Sequence, residues 1–451
     1  VNSLKLLIIF SEFPNPREEL LSLFLFFTFY FPPFPMSKIR FPEQAEQGRM
    51  NIEIAERHMG ALMKVRKRFS EEKPFEDMTI GLALHVTKET AVLVRTLKDG
   101  GAKVVITGCN PLSTQDDVAA ALAEEEDIEV FGHKGESNEE YYEFLNEVLK
   151  SSPDITIDDG CDLVTELHKS YPELLDTIIG GCEETTTGII RLHAMEKDKA
   201  LKYPVIAVND NKTKHLMDNY YGTGQSTLDG IIRSTNILLA GKSLVVVGYG
   251  SCGKGVAMRA KGLGANVIVT EVEPFCALQA KMDGFRVMKL EDAVLEGDIY
   301  VTVTGNLHVI DSQHMEKMKD GIILANSGHF DNEINMEWLE SNSSSKRRVR
   351  HYLDEYIVNG KTIYVAGEGR LVNLASAEGH PSEVMSLSFC GQALACEYLV
   401  KNKGKLEAGV HILPDEIDQT ISEYQLEAMD VDIDELTDDQ LEYLNSWQHG
   451  T

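Results

Sequence analysis

From Met36 onward, short apolar runs rich in β-branched residues alternate with longer segments whose apolar positions recur at helical spacing. The runs 80–84, 103–107, 128–131 and 155–157 predict strands, and the stretches 89–98, 116–126 and 138–150 predict helices between them. Strands that alternate with helices in this order pair in parallel, with the helices covering the sheet. A mixed polar and glycine-rich stretch over 209–230 carries no clear period, and a second strand-and-helix series opens at Leu244. The expected fold is therefore α/β, with two doubly wound parallel-sheet domains and a small C-terminal helical segment.

The second series holds the most readable motif. The strand-like run 244–247 leads directly into Gly248-Tyr249-Gly250-Ser251-Cys252-Gly253, and a helical stretch follows over 256–262. Gly248, Gly250 and Gly253 fit the GxGxxG pattern, which permits a tight turn, close approach of backbone to a pyrophosphate, and close helix-on-strand packing. The next strand, 266–270, ends at Glu271, where a carboxylate binds an adenosine ribose 2′-hydroxyl. With an acid there and no arginine beside it, NAD is expected rather than NADP.

Composition narrows the partners. The chain has 451 residues, 43% of them hydrophobic, and 72 acidic against 43 basic side chains give a formal charge of −29. Such a field repels phosphate backbones and anionic lipid, so neither nucleic acid nor membrane is an expected partner. Seven cysteines with no CxxC spacing suit a reducing, cytoplasmic setting. Residues 1–35 hold 8 of the 17 phenylalanines and 5 of the 14 prolines, unlike the rest, and are expected to lie outside the mature protein, with translation starting at Met36. At the other end, 415–442 carries 12 acidic residues and no lysine or arginine. It is expected to be a solvated helical cap at a subunit interface, packed through Ile417, Ile421, Leu426, Leu436, Leu441 and Leu444.

Polar residues cluster at strand ends in the first half: His85-Val86-Thr87-Lys88-Glu89, Asp158-Asp159-Gly160, Glu183-Glu184-Thr185-Thr186-Thr187, Lys214 and Asp218-Asn219. Singly, each has a structural reading as a cap or a turn. Jointly, LHVTKETAVL (84–93), CNPLSTQDD (109–117), DDGCDL (158–163), EETTTG (183–188), VNDNKTKHLMDNYYGTGQS (208–226), VVVGYGSCGKGVA (245–257), NSGHFDNEI (326–334) and EGRLVNLASAEGHPSEVM (368–385) closely resemble S-adenosylhomocysteine hydrolases. The resemblance runs in order from about residue 50 to about 414. It implies an enzyme, usually a homotetramer, whose NAD is reduced and reoxidised within one turnover on a nucleoside thioether, with no metal required.

Carried over by position, the resemblance makes Lys214 and Asp218 the pair that handles the ribose 3′-hydroxyl proton, the lysine being poised by burial and its carboxylate neighbour. Their i, i+4 spacing places both on one helical face. Glu184 is expected to bind the ribose hydroxyls, and Asp159 with His85 to act near C4′ and C5′. His329 is expected to work with them on the sulfur side. Thr185, Thr186, Thr187, Asn219, Asn306 and Asn373 are expected at the cofactor, with Asn373 on the nicotinamide amide. Thr87, Glu89, Glu378 and His380 are expected around the nucleoside.

Three departures from the common pattern stand out: Thr223 in place of a cysteine, Glu378 in place of a methionine, and an ending LNSWQHGT in place of a lysine- and tyrosine-containing tail. The resemblance puts Glu89 at the base-reading position, where it would accept from an adenine N6 amino group, so the adenosyl thioether is expected. With hypoxanthine, Glu89 or Glu378 would accept from N1–H and Lys88 or His380 would donate to O6, which leaves the inosyl thioether as the alternative. A dehydrogenase with net oxidation is the second alternative. The substrate domain is expected over 36–222, resuming at 376–405, with the NAD domain over 223–375 and an acidic oligomerisation segment over 406–451. Crossings near 223–228 and 374–380 would form a hinge.

Overall fold

The computed structural model describes residues 37–448, so the expectation for residues 1–35 lies outside the described residues. From Ile39 onward the chain forms one unit that holds two sheets. The first sheet uses β1 (Thr79–Ala83), β2 (Lys103–Thr107), β3 (Ile128–Phe131), β4 (Ile155–Asp158), β5 (Gly180–Glu183) and β6 (Pro204–Ala207). The second uses β7 (Ser243–Val247), β8 (Asn266–Thr270), β9 (Arg286–Val287), β10 (Ile299–Thr302), β11 (Ile322–Asn326), β12 (Ser345–Arg350), β13 (Leu353–Val358) and β14 (Lys361–Leu371). A last strand, β15 (Gly409–His411), returns to pair in parallel with β6 at the edge of the first sheet.

Strand order explains where a ligand fits. The first sheet runs β3-β2-β1-β4-β5-β6-β15, all parallel, and the core of the second runs β9-β8-β7-β10-β11-β14. Each reverses direction once, between β1 and β4 and between β7 and β10. A crevice opens there because the flanking connections leave to opposite faces, and ligands of such sheets bind at the carboxyl ends beside it. The second sheet is mixed rather than purely parallel, because β12, β13 and β14 are joined by tight antiparallel turns. Edge hairpins of this kind need no covering helix, and β12 is exposed and charged (SKRRVR).

The strands form because their residues pack on both faces. Ile80, Leu82, Val104, Ile106, Ile155 and Ile157 are buried in one core, and Leu244, Val246, Val267, Val269, Ile299 and Val301 in another. Three helices matter for the site. Helix α1 (Lys88–Asp99) starts at Thr87, whose side chain accepts from the Thr90 amide. Helix α2 (Ser251–Gly262) follows the glycine turn. Helix α3 (Ser382–Lys401) is buried on most sides, which its run of Phe389, Cys390, Gly391, Ala393, Leu394, Ala395 and Cys396 allows.

Two points of organisation emerge only from the structure. The glycine-rich stretch 209–230 is helical through most of its length, as Lys214–Gly222 followed without a break by Thr223–Thr235. Its glycines serve close packing: a Cβ at Gly224 would meet the Gly255 backbone and one at Gly230 the Val372 carbonyl. The expected crossing at 223–228 is thus helical. The first sheet also continues past 405, because β15 belongs to it; three residues are too few for a readable period. In the acidic segment, Ile421 is buried and Ile417 packs on the first core, whereas Leu436, Leu441 and Leu444 are exposed.

Candidate active site

The carboxyl ends of both sheets face one cavity of about 980 Å³. From the first sheet, β1 delivers His85 and Thr87, β4 delivers Asp159, β5 delivers Glu184 to Thr187, and the helix after β6 delivers Lys214, Asp218 and Asn219. From the second come Gly248 and Gly250 after β7, Glu271 after β8, Asn306 after β10, His329 after β11 and Asn373 after β14, with His380 just before α3. Three expected residues are not among its lining. Gly253 sits behind the turn. Glu89 is buried and accepts from the Ser382 hydroxyl at 2.7 Å. Glu378 is a correction: its side chain is 59% exposed and bridges Lys88 (3.0 Å) and Arg233 (3.1 Å), because two cations outside the cavity attract it.

Lys214 is the centre of the first half. Its ammonium lies 2.8 Å from Asp218, 3.3 Å from Glu184 and 2.8 Å from the Asn219 side-chain oxygen. In an ordinary α-helix the fifth residue on lies about 140° round from the first, so Asn219 would point away. Lys214–Gly222 instead closes its hydrogen bonds five residues on, and this wider turn brings positions four and five to either side of Lys214. Asn219 in turn donates to Asn209 (3.0 Å), which donates to the Thr186 hydroxyl (3.0 Å).

The electrostatics fix the charge of the lysine. Burial disfavours the Lys214 ammonium, but Asp218 and Glu184 outweigh it and hold the pKa above the ordinary lysine value. The lysine is therefore a cation and not a free base. Asp218 is held below the usual carboxylate range: burial opposes this, and Lys214 and His380 prevail. Glu184 is pushed up by burial, with Lys214 opposing. His380 contacts Asp218 through Nδ1, and its Nε2 lies 3.3 Å from the Thr223 hydroxyl.

The second cluster is His85, Asp159 and His329. His85 Nε2 lies 3.3 Å and His329 Nδ1 3.5 Å from the Asp159 carboxylate. Burial lowers the His85 pKa to about 4 against the pull of Asp159, so its imidazole is neutral at neutral pH. Behind them Asp158, pushed up to about 7 by burial, accepts from the Val164 amide, and the buried Glu183 accepts from the Gly160 and Thr185 amides. These fix the strand-end loops that aim Asp159 and Glu184. Gly160 has φ +109°, and a Cβ there would collide with the His329 ring.

Several functional contacts escape sequence reasoning. Ser388 (2.5 Å) and Gln392 (2.6 Å) of α3 donate to the two oxygens of Glu184, and Cys109 Sγ lies 3.2 Å from His85 Nδ1. Ser388 and Gln392 are polar residues one helical turn apart in the otherwise apolar stretch 387–396 of that helix, and that pattern is the signal that would have found them.

The residues fit NAD. Gly248 has φ +107°, and a Cβ at Gly253 would meet the Gly248 carbonyl, so the turn needs both glycines. Glu271 accepts from the amides of Tyr249 (2.6 Å), Val272 (2.7 Å) and Glu273 (3.1 Å), which places its carboxylate beside the turn. Asn373 donates to Ser226 at 3.2 Å, while its side-chain oxygen is buried without a partner and lines the cavity, ready for an amide donor.

Two facing sheets with a dinucleotide turn and a buried acid–base cluster define an NAD-binding enzyme. Residues 37–174 match the family model described as S-adenosyl-L-homocysteine hydrolase, and residues 219–379 match that of its NAD binding domain. The chain is 60% identical over 406 residues to an S-inosyl-L-homocysteine hydrolase of Methanocaldococcus jannaschii, covering 90% of this chain and 98% of that protein. It is 57% identical over 408 residues to an adenosylhomocysteinase of Sulfolobus acidocaldarius and 56% over 408 residues to one of Aquifex aeolicus, each covering 90% of this chain and 98% of the relative. The chain belongs to the S-adenosyl-L-homocysteine hydrolase family, and it is a hydrolase that uses NAD.

Proposed function

We propose that this enzyme hydrolyses S-adenosyl-L-homocysteine reversibly to adenosine and L-homocysteine, removing the by-product of methyl transfer. The observation that carries the reading is the buried Lys214, Asp218 and Glu184 cluster facing His85, Asp159 and His329 across one cavity that also holds the dinucleotide turn. Bound NAD, held at the glycine turn and Glu271, would supply reversible hydride chemistry at ribose C3′, which would make C4′–H acidic and allow elimination of the C5′ thioether.

Lys214 enters as an ammonium. It donates to the 3′ oxygen and eases loss of that oxygen's proton, with Asp218 and, beyond it, His380 as the route of departure. Glu184, fixed by Ser388 and Gln392, accepts from the ribose hydroxyls. Neutral His85 and Asp159 move protons at C4′ and C5′, and His329 supplies the proton to departing sulfur. Thr185, Thr186, Thr187, Asn219, Asn306, Asn373, the three glycines of the turn and Glu271 hold the cofactor; Thr87 and His380, which line the cavity, hold the nucleoside. The two domains, 36–222 with 376–405 and 223–375, close over substrate and exclude water from the intermediate, and β15 extends the first of them to 411.

The inosyl thioether is the second reading. It is supported by the relative that shares 60% identity, an S-inosyl-L-homocysteine hydrolase. The enzyme is proposed to work in the cytoplasm as a homotetramer. Among the described residues no helix is long and apolar enough to cross a membrane, and the exposed Ile232, Met258 and Leu263 line one shallow groove that supports assembly. Free thiol release from the adenosyl and the inosyl thioether, with and without added NAD, tests the reading. Release from neither by NAD-loaded enzyme would refute it, and the ratio of kcat/KM values assigns the base.

A further inference from the structure

We propose that Glu183 is a positioning residue that works as a neutral carboxylic acid beside an ionised Asp158, with its proton on Oε2. The two residues stand opposite each other in the parallel register of β4 and β5, and neither is exposed to solvent. Their hydrogen bonds differ. Asp158 accepts through both oxygens, from the Asp159 amide at 2.9 Å and from the Val164 amide at 2.8 Å. Glu183 accepts through Oε1 alone, from the Gly160 amide at 2.9 Å and the Thr185 amide at 3.0 Å, while Oε2 is buried without a partner. An unpaired oxygen of a buried carboxylate is costly, whereas the O–H of a carboxylic acid can donate to the anion on the next strand. The pattern thus puts the negative charge on Asp158 and the proton on Glu183.

Electrostatics lead to the same assignment. Two buried carboxyl groups on neighbouring strands do not both ionise in an apolar surrounding. Burial pushes Glu183 well above the ordinary carboxyl range, and Asp158 and Asp159 add to the shift. Asp158, raised by burial and relieved by the Val164 amide, reaches only about 7, so above that pH the pair keeps one proton. Arg191, the cation that acts on Asp158, is engaged by Asp162 at 2.7 Å and by the Gly160 carbonyl. The other titratable groups around the pair, Asp159, Cys109, Cys161, Cys182 and Tyr203, bring no positive charge. Backbone seals the remaining side, since a Cβ at Gly188 would fall on the Glu183 carboxyl group. Glu183 acts through the Gly160 amide, whose turn admits the His329 ring, and through the Thr185 amide, which opens the threonine run. That consequence for rate rests on the proposed function; the place of the proton does not.

The test compares matched amide substitutions in NAD-loaded enzyme, first without substrate. Glu183→Gln keeps the Oε1 acceptor and sets an N–H where the O–H stood. The folded acid holds a proton that the unfolded one loses above its ordinary value, so the parent loses stability as pH rises and the amide does not. The Tm gain of Glu183→Gln over the parent should therefore be larger at pH 8 than at pH 5, by up to about 5 °C. Asp158→Asn turns a donor towards the Asp159 or Val164 amide and should lower Tm at pH 8. The infrared difference between parent and Glu183→Gln at pH 8 should contain one protonated-carboxyl band. In turnover at pH 8, kcat/KM should fall about tenfold or more in Glu183→Ala and be restored by Glu183→Gln, but not by Asp158→Asn in place of the native aspartate. Like responses of the two amide variants, or an infrared difference without a protonated-carboxyl band, would overturn the assignment. Failure of the hydrolase reading has a separate signature: the band and the opposite Tm responses persist while neither thioether is cleaved.

Discussion

Replacing Lys214 by methionine keeps the chain's volume and removes its charge, and two separate consequences follow. Asp218 and Glu184, both nearly fully buried, lose the cation 2.8 and 3.3 Å away. Removing one partner of a buried ion pair costs about 3–5 kcal/mol, which for a unit of this length predicts a fall in Tm of about 5 °C. The sign with pH follows from the carboxylates. Without the ammonium their folded pKa values rise above the unfolded ones, so the native state binds more protons and stability declines as pH rises between the two. The Tm deficit should accordingly be smaller at pH 5 than at pH 8. The chemical consequence is loss of the group that eases departure of the 3′-hydroxyl proton, which slows the step by about 10²–10⁴-fold. Single-turnover reduction of bound NAD on adding adenosine or inosine reads that step directly. Adding Asp218→Asn to the Lys214→Met background removes one stranded anion; it should recover part of the Tm and none of the rate. Undiminished NAD reduction in Lys214→Met, or no recovery of Tm in the double variant, would refute the reasoning.

Three further outcomes are expected. Gly253→Ala pushes a methyl group onto the Gly248 carbonyl, and NAD affinity measured by fluorescence titration should fall at least about tenfold, or 1.4 kcal/mol. Glu271→Ala frees the Tyr249, Val272 and Glu273 amides and removes the ribose carboxylate, so the ratio of NAD to NADP affinity should drop by about tenfold or more in the same titration. Glu136 is pushed up to about 8 by burial against one His133 amide bond. It therefore stays protonated when folded but ionises when unfolded, and its contribution weakens as pH rises from the ordinary carboxyl value towards 8. Glu136→Gln should gain on the order of 1 kcal/mol over the parent at pH 8, about 1 °C of Tm, and less at pH 5.

Where a local pattern decides the structure, the sequence was sufficient. The helix Asn138–Lys150 and the strands Lys103–Thr107, Ile128–Phe131 and Asn266–Thr270 lie at the predicted bounds, because apolar periodicity and caps such as Ser137 are local signals. The dinucleotide turn was legible for the same reason. What was not legible depends on distant partners. The strand Gly180–Glu183 carries two glycines and no alternation; it exists because Tyr203, Val205 and Leu399 leave no room for side chains beside it. The charge state of Lys214 depends on Glu184, thirty positions upstream, and Ser388 and Gln392 reach Glu184 from α3. Glu378 was drawn out of the cavity by Lys88 and Arg233, an arrangement that only the folded chain displays.

The wide helix that carries Lys214 also sets a rule about length. Because its turn accommodates one residue more than an α-helix would, trimming a single position between 215 and 218 would slide Asn219 into the place of Asp218 and put an amide against the ammonium where a carboxylate belongs. Nine consecutive residues are thus held to a fixed tally, although they occupy a stretch that reads as an unpatterned linker.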